Sequence, residues 1–273
     1  MILYGNNLAQ EVLREIRFHN GEHLSIVLVG NDTSSEIYVK RKLETVKKLG
    51  GEGTLIKMDE QSTEKEIISE IEKLNKNDDV DGIVVQLPLP SHVNTINVLS
   101  SINPDKDVDG LTPQNMGRLF LNKPEIIPAT PKSIMYLLKY YGIGIKGKNA
   151  VIVGRSYIVG RPISYLLLNE NATVTVCHSH TKNLDGFTRN ADILVVAVGK
   201  ENLITKNMVK PNATVIDVGI NRVNGELVGD CDFNEIKEIA NITPVPGGVG
   251  PLTVAMLMDN LRICANRRRG ILI

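Results

Sequence analysis

Two arrangements of apolar residues alternate along this chain, short unbroken runs and stripes that recur every three or four positions. The first stripe, Leu8, Val12, Leu13 and Ile16, predicts a helix opening at Asn6. Strands are predicted at residues 24–29, 53–58 and 82–86, with helices over 35–49 and 63–74 between them. Thr63 followed by Glu66 has the spacing of a capping box. After Gln86 the pattern breaks. Pro88, Pro90, Pro104, Pro113, Pro124 and Pro128 mark a loop-rich zone with short helices, the kind of segment that often carries function. A helix over 130–141 leads into a second series, with strands at 150–153, 172–177, 193–197 and 214–218. Asn224-Gly225, between short β-prone runs, predicts a tight hairpin. The last stripe, Ala255, Leu257, Met258, Leu261 and Ile263, predicts a helix from near Pro251 with no strand after it.

Strands and helices in alternation predict an α/β protein with parallel sheets. The two series predict two domains, residues 1–128 and residues 129–250. The unpartnered apolar face of the last helix predicts that residues 251–273 return to complete the first domain. A chain of 273 residues has room for both cores.

Charge adds exclusions. Lys plus Arg and Asp plus Glu number 31 each, so no overall field would recruit nucleic acid or a membrane surface. No apolar run reaches membrane-spanning length, and Met1-Ile2-Leu3 gives way to Gly5-Asn6-Asn7 too soon for a signal peptide. Cys177, Cys231 and Cys264 are scattered, with no Cys-x-x-Cys pair, which predicts a reducing cytoplasm and no metal cluster. Arg267, Arg268 and Arg269 are expected to form a solvated helix terminus.

Candidate chemistry begins at residues 151–162, VIVGRSYIVGRP. An apolar run ends at Gly154 and a second glycine, Gly160, stands where a helix would begin, as in a strand, turn and helix that cradle a dinucleotide pyrophosphate. Ser156 takes the place of the usual middle glycine. The next strand ends at Cys177, followed by His178-Ser179-His180-Thr181. An NAD site would place a carboxylate there for the ribose 2′-hydroxyl. Here hydroxyls and imidazoles can donate to a 2′-phosphate and Arg155 can neutralise it, which favours NADP. The alternative is that His178 and Ser179 cap the following helix.

Taken singly, other residues read blandly: Lys42 as one charge on an amphipathic helix, Tyr38 as core, Asp107 and Asp109 as turn residues, the Pro-Gly-Gly-Val-Gly stretch after Val245 as a rigid loop. In order they read differently. Tyr38-Val39-Lys40-Arg41-Lys42, GIVVQLPLP at 82–90, PDKDVDGL at 104–111, GRSYIVG at 154–160, VGIN at 218–221 and TPVPGGVGPLT at 243–253 together resemble the bifunctional methylenetetrahydrofolate dehydrogenase/methenyltetrahydrofolate cyclohydrolase family, over nearly the whole chain.

That resemblance implies two domains around a cleft, an N-terminal folate domain and a Rossmann-like NADP-binding domain, with folate in the cleft and the nicotinamide against its one-carbon bridge. It implies oxidation of 5,10-methylenetetrahydrofolate and hydrolysis of the methenyl product to 10-formyltetrahydrofolate, within one-carbon metabolism and purine biosynthesis. Lys42 corresponds to the family's catalytic lysine, Gln86 to the glutamine bonded to it, Tyr38 to an aromatic against the folate ring, and Asp109 to the carboxylate that grips the pterin. Leu87, Pro246, Gly247 and Gly248 join the folate set. Gly154, Arg155, Ser156, Ile158, Gly160, His178, Ser179, Ile220 and Thr253 form the cofactor set. No metal is implied, nor a fused formate-activating ligase domain. A cytoplasmic homodimer joined through the cofactor domain is implied.

Lys42 can move protons only while neutral, and burial beside a cationic ring favours that form. Two departures stand out: Ala129 replaces a common cysteine, and His180 replaces the lysine that often follows the cofactor serine. A dehydrogenase without cyclohydrolase activity would tolerate loss of Lys42, and a non-catalytic dinucleotide-binding protein would have no use for Asp109 beside it. The intact set of Tyr38, Lys42, Gln86 and Asp109 argues against both.

Overall fold

The computed structural model describes residues 1–19 and 21–271. In chain order the first series comprises α1 (Asn6–Glu15), β1 (His23–Val29), α2 (Thr33–Lys48), β2 (Glu52–Met58), α3 (Glu64–Lys76), β3 (Gly82–Val85), α4 (Thr95–Ser100) and α5 (Pro113–Phe120). The second comprises α6 (Ala129–Tyr140), β4 (Asn149–Val153), α7 (Gly160–Asn169), β5 (Thr173–Cys177), α8 (Leu184–Thr188), β6 (Ile193–Val196), β7 (Thr214–Asp217), β8 (Asn221–Val223), β9 (Glu226–Val228), α9 (Phe233–Ile236) and β10 (Asn241–Ile242). The final helix is α10 (Val249–Arg268). Thr63 closes the capping box of α3, its side chain accepting from Glu66 N–H.

The chain divides into two compact units, one of Met1–Glu11 with Thr130–Thr253, the other of Val12–Ala129 with Val254–Ile273. In the second of these, β2, β1 and β3 form a parallel sheet in that order. Central β1 is buried along nearly its whole length, as a strand covered on both faces must be, whereas edge strand β2 is largely exposed. Val254 onward groups with this unit, where the apolar face of the last helix was expected to pack. Leu261 packs so closely on Gly82 that a Cβ there would lie 2.6 Å from its Cδ1.

The three terminal arginines are not a solvated end. Arg267 pairs with Asp105 and Glu125, Arg268 with Asp78 and Asp81, and Arg269 with Glu22 and Asp81. Glu22 and Asp81 are buried, so these guanidiniums compensate charges that would otherwise be stranded. Ile263 is only half-buried. The burial of α10 instead runs through Leu252, Ala255, Met256, Leu257, Met258, Leu261, Cys264 and Ala265, almost all around the helix.

The other unit holds a parallel sheet in the order β10, β7, β6, β4, β5. Buried β4 and β6 are near-continuous apolar runs, buried β7 sets Val215 and Ile216 between Thr214 and Asp217, and edge strand β5 is the one with exposed positions. Two-residue β10 carries too little pattern to be foreseen. It pairs with β7 and also bridges Ile2, where Leu3 N–H donates to Ile242 O at 2.9 Å. This pairing groups the first residues of the chain with 130–253. The hairpin β8–β9 turns at Asn224 (φ 51°) and Gly225 (φ 87°), the left-handed pair that a type I′ turn requires.

Candidate functional site

Within the unit of Val12–Ala129 the chemistry starts on α2, whose N-terminus is capped by Asp32 accepting from Ser35 N–H at 2.7 Å. Tyr38 and Lys42 lie one turn apart on this helix. Tyr38 is half-buried, and desolvation raises its phenol pKa against the lowering charge of Arg41. Lys42 is 9% exposed, and its Nζ donates to Gln86 Oε1 at 3.2 Å. Gln86 sits just beyond β3, where its backbone N–H donates to Val27 O at 2.9 Å and continues the ladder with β1. Its own Nε2 donates to Leu87 O at 2.8 Å, which turns the amide so that oxygen faces the lysine. Leu87 is half-buried beside it.

The two aspartates of the Asp107-Val108-Asp109-Gly110 loop differ sharply. Asp107 is buried and accepts from Leu111 N–H, Thr112 N–H and Asn115 Nδ2 at 3.1, 2.8 and 2.9 Å. Burial still pushes its carboxyl pKa up despite these donors. Asp109 is half-buried and its carboxylate bonds to no described residue. Two residues absent from the expected set hold this loop. Lys106, 2% exposed, donates to the carbonyls of Leu74, Asn75 and Asn77 at the end of α3. Asn260 on α10 donates to Val108 O and Ile127 O, both at 2.8 Å. An Asn between apolar stretches of the last helix was the available signal for the latter. A groove of about 390 Å³ on the same unit, lined in part by Leu28, Val39, Leu43 and Leu55, contains none of the expected site residues.

The unit of Thr130–Thr253 carries the residues expected to bind the cofactor. The chain runs from β4 outward to β5, then crosses back to β6, so strand order reverses between β4 and β6, where open α/β sheets bind ligands. Gly154 and Gly160 are required there by close approach. A Cβ on Gly154 (φ 122°) would lie 2.2 Å from Ala197 O, and one on Gly160 would lie 2.2 Å from Gly154 O. Ser156 accepts from Val159 N–H at 3.2 Å and Gly160 N–H at 3.4 Å, bracing the turn where a middle glycine would have bent it. Val159 at the N-cap of α7 makes no side-chain cap, but Ser156 takes the first N–H groups of the helix, Gly160 N–H through Oγ and Arg161 N–H through its carbonyl at 2.9 Å, and what the helix start offers an anion is the positive end of its dipole.

Arg155 and Ser179 are exposed and His178 is half-buried, beside the adjoining ends of β4 and β5. The alternative helix-capping role is not seen. His178 Nδ1 instead accepts from His180 N–H at 3.2 Å, and the N-cap of α8 is Asn183, which makes no side-chain cap. Desolvation, then the charges of Arg155 and His180, lower the His178 pKa. Ile158 is half-buried, while Ile220 is 44% exposed beyond β7. Thr253 on α10 accepts from Ser133 Oγ at 3.5 Å. Pro246 is exposed, and Gly247 O accepts from Gly5 N–H at 2.8 Å, with Gly248 against the same glycine. Of the expected folate set, then, Tyr38, Lys42, Gln86, Leu87 and Asp109 fall in one unit and Pro246, Gly247 and Gly248 in the other. No cluster of three or more metal-ligating side chains occurs among the described residues.

Residues 3–109 match the model of the tetrahydrofolate dehydrogenase/cyclohydrolase catalytic domain, and residues 128–269 match that of the same family's NAD(P)-binding domain. The chain belongs to the tetrahydrofolate dehydrogenase/cyclohydrolase family. It is 48% identical over 280 residues to the bifunctional protein FolD of Thermodesulfovibrio yellowstonii, covering 99% of this chain and 98% of that one. Its fold matches the FolD dehydrogenase/cyclohydrolase of Campylobacter jejuni with a TM-score of 0.94 at 44% identity, covering 98% and 99% of the two chains. The Trypanosoma brucei FolD, solved in complex with NADP cofactor and an inhibitor, matches with a TM-score of 0.93 at 35% identity and 98% coverage of both.

Proposed function

We propose that this protein oxidises 5,10-methylenetetrahydrofolate with NADP and hydrolyses the resulting 5,10-methenyltetrahydrofolate to 10-formyltetrahydrofolate. The buried Lys42–Gln86 pair carries this reading, because an amine held by a neutral amide and by no carboxylate is equipped to move protons. The glycine-built turn at residues 154–160 and the carboxylate-free segment after β5 fit a dinucleotide with a 2′-phosphate. NADP, when bound, supplies the hydride acceptor.

The chain's own residues do the rest. The close turn at residues 154–160, at the positive end of the α7 dipole, holds the pyrophosphate, and Arg155 with Ser179 and His178 holds the 2′-phosphate. Asp109, with both oxygens free, accepts the two N–H donors on the pterin edge. Tyr38 lies against the folate ring, and Leu87, Pro246, Gly247 and Gly248 complete its contacts. In the hydrolytic step Lys42 takes a proton from the water that attacks the methenyl carbon and returns one to the ring nitrogen that leaves. Gln86 orients the amine without adding a charge that would fix its proton. The folate-binding residues centre on 1–128 and the cofactor residues on 129–250.

The protein acts as a cytoplasmic homodimer on soluble folates, with no nucleic-acid or membrane partner. No helix among the described residues is long and apolar enough to cross a membrane. The test is an absorbance assay with methylenetetrahydrofolate and NADP or NAD in turn. Methenyltetrahydrofolate should form with NADP and then decay to the formyl product; no NADP reduction would overturn the reading.

A further inference from the structure

Asp217 and Asp230 lie outside every expected site, yet they are 2% and 0% exposed at the end of the cofactor sheet. Asp230 accepts from the N–H groups of Val198, Gly199 and Lys200 at 2.7, 3.0 and 2.8 Å, and from Asn221 Nδ2 at 3.0 Å. Asp217 accepts from the N–H groups of Gly219, Asp230 and Cys231 at 3.0, 3.0 and 2.9 Å. The carboxylates sit directly on backbone. A Cβ on Gly219 would be 2.1 Å from Asp230 Cγ, and one on Gly229 would be 1.9 Å from Asp217 Oδ2. The loops so gripped follow adjacent strands β6 and β7, and each presents an exposed apolar side chain, Val198 (48%) and Ile220 (44%).

We propose that Asp217 and Asp230 are positioning residues for the cofactor, clamping the loops after β6 and β7 so that Val198 and Ile220 form one rigid apolar platform against the dinucleotide. The inference rests on reading Ile220 as a cofactor contact. Its logic is one of cost. Two neighbouring buried carboxylates repel, and burial together with the Asp230 charge raises the Asp217 pKa to about 6. Stability alone is poorly served by such a pair, whereas seven donors converging on two anions fix loop geometry tightly. The strand ends of a parallel sheet are also where a bound nucleotide is read. A platform there gains affinity from being set before the ligand arrives.

Asp230→Asn in the full chain tests this, because the amide must turn a donor towards N–H groups that need an acceptor. The Kd for NADP, measured by calorimetry, should rise roughly tenfold to a hundredfold, the scale of losing hydrogen bonds to a charged group. Amide exchange at Val198, Gly199 and Lys200 should quicken in the cofactor-free protein. Hydrolysis of added methenyltetrahydrofolate without NADP should continue at the parent rate, since Lys42 and Gln86 belong to the other unit. Parent-like NADP affinity despite faster exchange would overturn the proposal, as would NADP affinity, hydrolysis and thermal midpoint falling together. Should that variant not fold, Asn221→Ala removes one of the four donors to Asp230, together with its bond to Gly229 O, and must show the same pattern more weakly; parent-like NADP affinity there overturns it. Ile220→Ala separates the two readings. Weakened NADP binding in Ile220→Ala with none in Asp230→Asn sinks the clamp alone, and unchanged binding in Ile220→Ala removes the Ile220 reading beneath it.

Discussion

Carboxylates in the two units are used in opposite ways. In the unit of Val12–Ala129, Asp109 is left with no bond to a described residue, and the buried amine of Lys42 meets one neutral acceptor. In the unit of Thr130–Thr253, Asp217 and Asp230 are saturated by backbone donors. A polar group that must grip a substrate or pass a proton needs capacity left over. One that must hold backbone still needs none. Asp107 and Asp109 repeat this contrast within three residues, the first spent on its own loop and the second free. In the cofactor unit, exposed Arg155 and Ser179 are the free counterparts of the saturated pair.

If this division is right, changing a free group should cost function without stability, and changing a saturated group should act first on the backbone it holds. Lys42→Met offers the largest effect. Methionine keeps much of the side-chain length, so packing should persist while hydrolysis of methenyltetrahydrofolate falls by about a hundredfold to ten-thousandfold, the usual worth of acid–base assistance. Dehydrogenase activity should remain measurable, with the methenyl product accumulating at the absorbance of that species. Hydrolysis at the parent rate would return Lys42 to the ordinary lysines of an amphipathic helix.

Next comes Arg155→Ala, which should weaken NADP by roughly tenfold to a hundredfold and NAD far less, through loss of one charge-assisted contact. Equal losses in titrations with both cofactors would assign Arg155 to the pyrophosphate or the fold. Asp109→Ala should damage both activities through a similar rise in folate KM while its melting temperature holds. Asp107→Ala should instead lower stability by ~2–3 kcal/mol in urea titrations, because three buried donors lose a shared acceptor. A stable Asp107→Ala with impaired folate binding would reverse the assignment of the pair.

The smallest effect concerns pH. Asp217 has a folded pKa raised to about 6, above the value of 3.8 for a free side chain. The folded state therefore binds more protons between these values, so this group's contribution is fully present below pH 3.8 and is lost as pH rises through about 6. The change is of the order of 1–3 kcal/mol. Denaturant midpoints recorded across that range should show the decline in the parent chain, and Asp217→Asn should remove this slope whatever its absolute stability. An unaltered slope would mean that other carboxylates dominate.

Much of the fold was written in local pattern. Mainly apolar runs marked β1, β4 and β6, and Asn224-Gly225 marked the hairpin, because strand burial and left-handed turns each demand particular residue types in place. Gly154 and Gly160 were legible for the same reason. The resemblance named Lys42 and Gln86, which the structure joins. Other features had no local signature. Two-residue β10 exists through its neighbours β7 and Ile2, and the terminal arginines looked solvated until Glu22, Asp81 and Glu125 were placed beside them.

By itself the sequence determined the alternation of strands and helices, the return of the last helix and the glycines of the nucleotide turn, since each follows from periodicity or from backbone freedom at a single residue. Only the tertiary structure decided which polar groups are spent and which are free. Asp107 and Asp109 are the same residue type two positions apart, and Asp230 reads like any aspartate after a glycine. Their difference lies in donors brought from elsewhere: Asn115 for Asp107, the β6 loop for Asp230, and none for Asp109 among the described residues. A hydrogen bond has two ends, and the sequence around one of them cannot say where the chain will carry the other.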